Sequence, residues 1–210
     1  MSVSIMRAIL VATSNPGKLR DLVGAAAPYG VEIASLPNFS FLPTVIEDGL
    51  TFEDNARKKA EFYSRYAPDE IVLADDSGLE VDALGGVPGV HSARYAADEP
   101  SQAESNTDDD ANNAKLIREL RDVLPEDRTG RFVCVIATAR DGKSLSVFRG
   151  TAEGVILDRP RGTNGFGYDP FFYFPQIQKT FAELTAEEKA KYSHRGAAFR
   201  QFLEWVQSYK

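Results

Sequence analysis

The run RFVCVIATARDGKSLSVFRG, residues 131–150, constrains the fold more than any other stretch. Two apolar segments, Phe132 to Ala139 and Leu145 to Arg149, flank Asp141-Gly142. An Asp-Gly pair adopts the positive φ angles that a two-residue hairpin requires, so the two segments pair antiparallel. Thr151 to Leu157 continues the strand pattern. The front of the chain reads differently. Arg7 to Ala12 is a strand, Leu19 to Ala27 a helix and Val31 to Leu36 a second strand. Phe52, Ala56, Ala60 and Tyr63 then recur at helical spacing, behind Thr51 as N-cap with Asp54 three positions on. Pro68 ends that helix, and Ile71 to Ala74 is a short buried strand. Strands that alternate with helices early and form a hairpin late predict an α/β fold with a mixed sheet.

The remaining segments are weaker in pattern. Asp75 to Tyr95 is glycine-rich and reads as loops and tight turns. Ala97 to Ala111 is polar and acidic, a surface segment whose aspartates imply no chemistry. Asn112 to Val123 reads as helix, and a C-terminal helix carries Phe199, Phe202, Trp205 and Val206 on one face. With no internal repeat and no low-complexity linker, residues 1–210 form a single domain: one core, or at most two lobes sharing one sheet.

Charge and cysteine content narrow the function classes. Lys+Arg 24 against Asp+Glu 31 gives a net charge of -7, the wrong sign for a nucleic-acid-binding field, although local donors still allow a phosphate ligand. The one cysteine, Cys134, excludes an intramolecular disulfide and is expected as a buried apolar side chain. No apolar run approaches the roughly 20 residues of a membrane span, and MSVSIM lacks a signal-peptide hydrophobic region. The expectation is a soluble cytoplasmic protein with no nucleic-acid or membrane partner.

Four stretches hold residue types suited to a nucleotide. In ILVATSNPGKLRDL a strand meets a helix through Thr13, Ser14, Asn15, Pro16, Gly17 and Lys18. A helix start offers unpaired N–H groups and the positive end of its dipole, Gly17 allows close approach, and Lys18 adds a point charge. The stretch is not a Walker A loop, because Ala12 and Leu19 stand where that motif needs glycine and a hydroxyl; a plain strand–turn–helix is the alternative. In LADDSGLEV, Asp75 and Asp76 lie at the end of a strand beside Ser77-Gly78. Adjacent carboxylates on extended chain point opposite ways, so one suits a hard cation and the other a loop or a lysine; a turn cap is the alternative. In GTNGFGYDPFF, glycines interleave with Phe166 and Tyr168, backbone access beside stacking faces for a base; core aromatics around a turn would read the same. In LTAEEKAKYSHRGAAFR, Lys189, His194 and Arg195 gather donors for a phosphate or a base carbonyl beside Ser193, or Ser193 simply caps a helix.

Together with GLTFEDNARKKA, these stretches resemble, in order and spacing over nearly the whole chain, the inosine triphosphate pyrophosphatase family. The resemblance implies an elongated α/β fold with two lobes flanking a nucleotide cleft, commonly a homodimer, requiring Mg2+. It implies hydrolysis of ITP, dITP or XTP to the monophosphate and pyrophosphate. Carried over by position, Thr13 to Lys18 matches the triphosphate loop, Asp76 the proton acceptor and metal ligand, and Glu47 the second acidic metal ligand, with Asp48 adjoining it. Ser77, Phe166, Gly167, Tyr168, Asp169, Lys189, His194 and Arg195 match substrate-binding positions. Asn55 and Lys59, one helical turn apart, are expected to reach the same site. A Maf-like nucleotide pyrophosphatase and a non-catalytic nucleotide sensor are the competing readings.

Overall fold

The structure is a computed structural model and describes residues 8–97 and 109–209. Elements follow in the order β1 (Ile9–Val11), α1 (Pro16–Ala26), β2 (Ile33–Ser35), α2 (Phe52–Ser64), β3 (Val72–Val81), α3 (Asp109–Glu119), β4 (Thr129–Arg140), β5 (Lys143–Ile156), β6 (Phe172–Phe174), β7 (Lys179–Thr180), α4 (Ala186–Tyr192) and α5 (His194–Ser208). Among the described residues the strands form a seven-stranded sheet in the order β2-β1-β3-β4-β5-β6-β7. β1 lies parallel to β2, with Ile9 opposite Ile33, and parallel to β3, with Leu10 opposite Val72. β5–β6 and β6–β7 are antiparallel. The mixed α/β sheet expected from the two halves of the sequence is the one found. Arg7 and residues 98–108 of the acidic segment lie outside the described residues.

The chain divides into two compact units, each assembled from separate segments. The first comprises Met1–Asp76, Val135–Gly150 and Arg195–Lys210, and the second Ser77–Cys134 and Thr151–His194. In the first, Val11, Val72 and Leu73 from the sheet are buried, as are Leu22 of α1, Ala56 and Ala60 of α2 and Phe199 and Phe202 of α5. Small residues on α2 let a helix backbone approach its packing partner closely, while the aromatic face of α5 supplies volume. In the second unit, Leu79, Val81, Leu116, Leu120, Phe132, Phe172, Phe174 and Phe181 form one cluster. Phe132 and Phe172 lie 4.6 Å apart between ring centroids, and Phe172 and Phe181 4.8 Å. Each buried aromatic of this size contributes about 1.5–3 kcal/mol by removal from water.

Local chemistry explains where elements begin and end. The hairpin turn has Asp141 at φ 52° and Gly142 at φ 79°, the positive pair expected of Asp-Gly. Thr51 caps α2, its hydroxyl accepting from the Asp54 N–H at 3.1 Å. Cys134 is buried, as expected of a small apolar side chain.

Two boundaries differ from the sequence reading. α1 begins at Pro16 rather than Leu19, because Asn15 is its N-cap and Pro16 its first residue. Asn-Pro is a start signal there, since proline's fixed φ suits the first helical position. β3 does not stop at Ala74 but runs through the two aspartates to Val81. The glycine that suggested a turn, Gly78, is instead a point of close approach. A Cβ built on it would lie 2.3 Å from Ser92 Oγ, and that hydroxyl accepts from Leu79 N–H at 2.9 Å.

Candidate active-site residues

The first unit gathers its charged groups around β3. Successive residues of a strand point to opposite faces, and Asp75 and Asp76 do so with different partners. Asp75 is 2 % exposed. Its Oδ2 is 3.2 Å from Lys18 Nζ and accepts from Nε and Nη2 of Arg195, both at 3.3 Å. Arg195 sends Nη1 to Asp21 Oδ2 at 2.7 Å. Burial alone would raise the Asp75 carboxyl, but the charges of Lys18 and then Arg195 outweigh it and hold the group far below the usual carboxylate range.

Asp76 faces α2. Its Oδ2 accepts from Asn55 Nδ2 at 3.2 Å, and its Oδ1 is 3.3 Å from Lys59 Nζ. Here burial is the largest influence and wins: the carboxyl is pushed above its ordinary value, although Lys59 and Lys18 pull it down and Glu47 adds to the rise. Lys59 Nζ also donates to Glu47 Oε2 at 2.8 Å. Burial would raise the Glu47 carboxyl, yet Lys59 overrides it and the group sits below the usual range. Burial likewise disfavours the Lys59 ammonium, but Asp76 and Glu47 together raise its pKa.

The face of α2 that does this is a single stripe at i, i+4 and i+8. Asn55 Oδ1 accepts from Gly49 N–H at 2.8 Å, Lys59 binds Glu47, and the Tyr63 hydroxyl donates to the Pro43 carbonyl at 3.2 Å. The 43–49 loop is thereby pinned to the helix, and Glu47 is held on the ammonium that Asp76 shares. Asp48 is not: it pairs with Lys58 at 2.5 Å on the exposed side. The geometry therefore separates the two acids that the sequence left adjacent.

Four carboxylates (Asp21, Glu47, Asp75, Asp76) meet three cations (Lys18, Lys59, Arg195) in these contacts. A divalent cation suits the surplus of negative charge. Glu47 and Asp76 are hard oxygen donors that share the Lys59 ammonium, at 2.8 and 3.3 Å. No group of three or more His, Cys, Asp or Glu that could cage a metal occurs among the described residues. Two carboxylates and no softer ligand suit a hard cation of the Mg2+ type, which retains several waters when bound.

The strand–helix junction is organised differently from the expectation. Asn15 Oδ1 accepts from the N–H groups of Gly17 at 2.8 Å and Lys18 at 3.0 Å. The Asn15 N–H donates to Thr13 Oγ1 at 3.2 Å. Two first-turn donors counted as open to an anion are thus used by the protein's own cap. What the junction presents is the Lys18 ammonium and the hydroxyl of exposed Ser14.

The second unit builds its own arrangement. Asp169 is 3 % exposed, and its Oδ2 accepts from Phe166 N–H at 2.9 Å and from Lys189 Nζ at 2.5 Å. The same ammonium lies 4.8 Å from the centre of the Phe166 ring. The buried Tyr168 hydroxyl donates to the Ser92 carbonyl at 2.7 Å; burial is the main reason its pKa is pushed far up. His194, 4 % exposed, stacks on Phe132 at 4.7 Å and 11°. Ser77 begins this unit immediately after Asp76 in the chain.

Arg195, expected to donate to a phosphate or a base carbonyl, is 1 % exposed and binds Asp75 and Asp21. An uncompensated cation inside a protein is too costly, so the chain supplies carboxylates. Asp21 was not singled out from the sequence. Its position three residues after Lys18, one turn along α1, was the available signal.

Comparison with known proteins places this arrangement. The model of the Ham1 family matches residues 9–205. A dITP/XTP pyrophosphatase of Acidobacterium capsulatum is 51% identical over 196 residues, 93% of this chain and 96% of the relative. One of Bacillus subtilis is 42% identical over 97% of this chain and 99% of its own. Among solved structures, the Staphylococcus aureus Ham1 protein matches with a TM-score of 0.80 and 38% identity, covering 97% of this chain and 100% of that one. A Ham1 protein from Coxiella burnetii gives a TM-score of 0.80 at 36% identity, with the same coverage. Since the match runs through both units and both groups of charged residues, the chain belongs to the Ham1 family.

Proposed function

We propose that the protein is a magnesium-dependent nucleoside triphosphate pyrophosphatase. It acts on the non-standard purine nucleotides ITP, dITP and XTP and releases pyrophosphate and the nucleoside monophosphate. One observation carries the reading: two adjacent carboxylates with opposite surroundings, Asp75 buried on Lys18 and Arg195, and Asp76 facing α2 beside Asn55 and Lys59. Such a pair divides structural from proton-transfer work. The relatives named dITP/XTP pyrophosphatase support the substrate class.

In this proposal Asp76 accepts a proton from water as the water oxygen attacks the α-phosphorus and the bond to the β-phosphate oxygen breaks. Asn55 and Lys59 fix the carboxylate's orientation. Lys18 neutralises charge on the departing pyrophosphate. Glu47 and Asp76 are the residues that would hold Mg2+, whose chemistry when bound is charge neutralisation on phosphate oxygens. Phe166 offers a stacking face. His194, Lys189 and the 166–169 backbone supply the polar environment of the base. A 6-oxo group accepts hydrogen bonds and a 6-amino group donates them, so a site built of donors discriminates against ATP by roughly 10⁴ or more. Arg195 contributes by holding Asp75.

The proposal includes a homodimer in the cytoplasm. Phe41, Ile46 and Leu50, 86%, 73% and 91% exposed within ten residues of chain, support self-association. No helix among the described residues is long and apolar enough to cross a membrane.

The deciding experiment is pyrophosphate release with Mg2+ across ITP, dITP, XTP, ATP, GTP and modified pyrimidine triphosphates. Release from ITP, dITP and XTP without release from ATP or GTP supports the proposal; GTP shares the 6-oxo group, so its exclusion falls on its 2-amino group. Preference for pyrimidines favours a Maf-like enzyme, and binding without release a sensor. In a binding titration Lys18→Met weakens ITP binding about tenfold to a hundredfold, the worth of one charged hydrogen bond, and leaves inosine binding unchanged. Equal losses for both ligands in a titration would remove Lys18 from the phosphate role.

A further inference from the structure

Helix α3 reaches the aromatic loop with two side chains one turn apart. Asp109 Oδ2 accepts from the Gly167 N–H at 2.7 Å, and Asn113 Nδ2 donates to the Gly167 carbonyl at 3.0 Å. Both polar groups of one residue are thus taken by a single helix face, at positions i and i+4. Gly167 has φ +61° and open space where a side chain would lie. With no side chain to pack, a glycine crosses between positive and negative φ freely, so its conformation rests on what binds its N–H and carbonyl. Its neighbours are already tied, Phe166 through its N–H to Asp169 and Tyr168 through its hydroxyl to Ser92. The preceding residue of the helix, Asn112, binds elsewhere, its Oδ1 accepting from Ala96 N–H at 2.8 Å. Asn113 is 7% exposed, and donating to Gly167 is the hydrogen bond it makes among the described residues.

We propose that Asp109 and Asn113 are specificity-determining positioning residues. Gripping Gly167 from both sides, they set the plane of the backbone between Phe166 and Tyr168 and hence the angle at which the Phe166 ring meets a purine. The proposal rests on the reading of residues 166–169 as the base-binding loop. A preorganised loop adds selectivity because the cost of ordering it is met before the ligand arrives. The chemistry of bond cleavage belongs to other residues, so the loss falls on KM and on discrimination rather than on kcat.

The test compares Asp109→Ala, Asp109→Asn, Asn113→Leu and Phe166→Ala in the full chain. ITP and ATP kinetics are measured alongside hydrogen exchange at the Gly167 amide. Asn at 109 retains an acceptor, and Leu at 113 keeps the volume while removing the donor. Asp109→Ala and Asn113→Leu are expected to raise KM for ITP about tenfold, change kcat less than about twofold and narrow the ITP-to-ATP ratio of kcat/KM. Asp109→Asn restores most of the wild-type profile, and Gly167 exchange quickens in Asp109→Ala alone of the two Asp109 variants. If Asn113→Leu does not fold, the Asp109 pair decides. An unchanged KM and ratio in Asp109→Ala, with Phe166→Ala strongly impaired, overturns the positioning role. An unchanged profile in Phe166→Ala itself overturns the base-loop reading instead.

Discussion

Asp76→Asn lowers kcat for ITP by about 10² to 10⁴-fold, the usual worth of a positioned general base, while the protein remains folded. The substitution preserves size and removes the proton acceptor. In either amide orientation one of its two present contacts, from Asn55 Nδ2 or Lys59 Nζ, faces a donor rather than an acceptor. That costs about 1–3 kcal/mol, and Lys59 keeps Glu47 as its counter-charge. The wild-type pH profile provides a second reading. In the metal-free protein burial pushes the Asp76 carboxyl above the usual carboxylate value of about 3.9, so protonation competes with Mg2+ and the acidic limb of activity moves to lower pH as Mg2+ is raised. The residual activity of the variant lacks this limb. Near-wild-type turnover at saturating Mg2+, measured by pyrophosphate release, would show that the proton goes elsewhere.

Asp75→Asn has its effect on stability instead. It strips charge from a site where Lys18 and the fully buried Arg195 share one carboxylate oxygen. Breaking a buried pair by removing one partner costs about 3–5 kcal/mol when the remaining cation is left uncompensated; Arg195 keeps Asp21 as a counter-charge, so the loss falls at the low end of that range. The pH dependence follows from the direction of the shift. The folded carboxyl lies below its unfolded value of about 3.9, so its stabilisation is complete above that pH and is lost as pH falls through the folded pKa. Urea unfolding of both proteins therefore shows the full gap at pH 7 and a narrowing gap below about pH 4. A gap of the same size throughout that range would mean that the asparagine perturbs packing and that the charge contributes little.

The two predictions separate neighbouring residues that composition treats alike, and that separation marks the boundary of what the sequence determined. Alternation was legible: the apolar runs on either side of Asp141-Gly142 specified an antiparallel pair, and the strand–helix alternation early in the chain specified a mixed α/β sheet. Local rules of this kind depend on residues near in the chain, so a single sequence contains them. Lys18, Glu47, Lys59 and Arg195 were legible too, though not Asp21, as was the argument that Asp75 and Asp76 would face opposite ways, since an extended backbone imposes it. Thr51 announced its helix by the same short-range chemistry.

What only the tertiary structure decided involves partners far apart in sequence. Glu47 rather than Asp48 shares a cation with Asp76, because the i, i+4, i+8 face of α2 pins the loop in that register. Arg195 lies on Asp75, 120 positions away, where burial obliges it to find a carboxylate. β3 runs on past a glycine that read as a turn, since Ser92 packs where a side chain would stand. The acidic segment ending at Ala111 looked devoid of chemistry, yet its Asp109 holds the backbone of Gly167, 58 positions on. A hydrogen bond or ion pair between distant residues leaves no periodicity in the sequence; it exists only once burial has removed water as the competing partner.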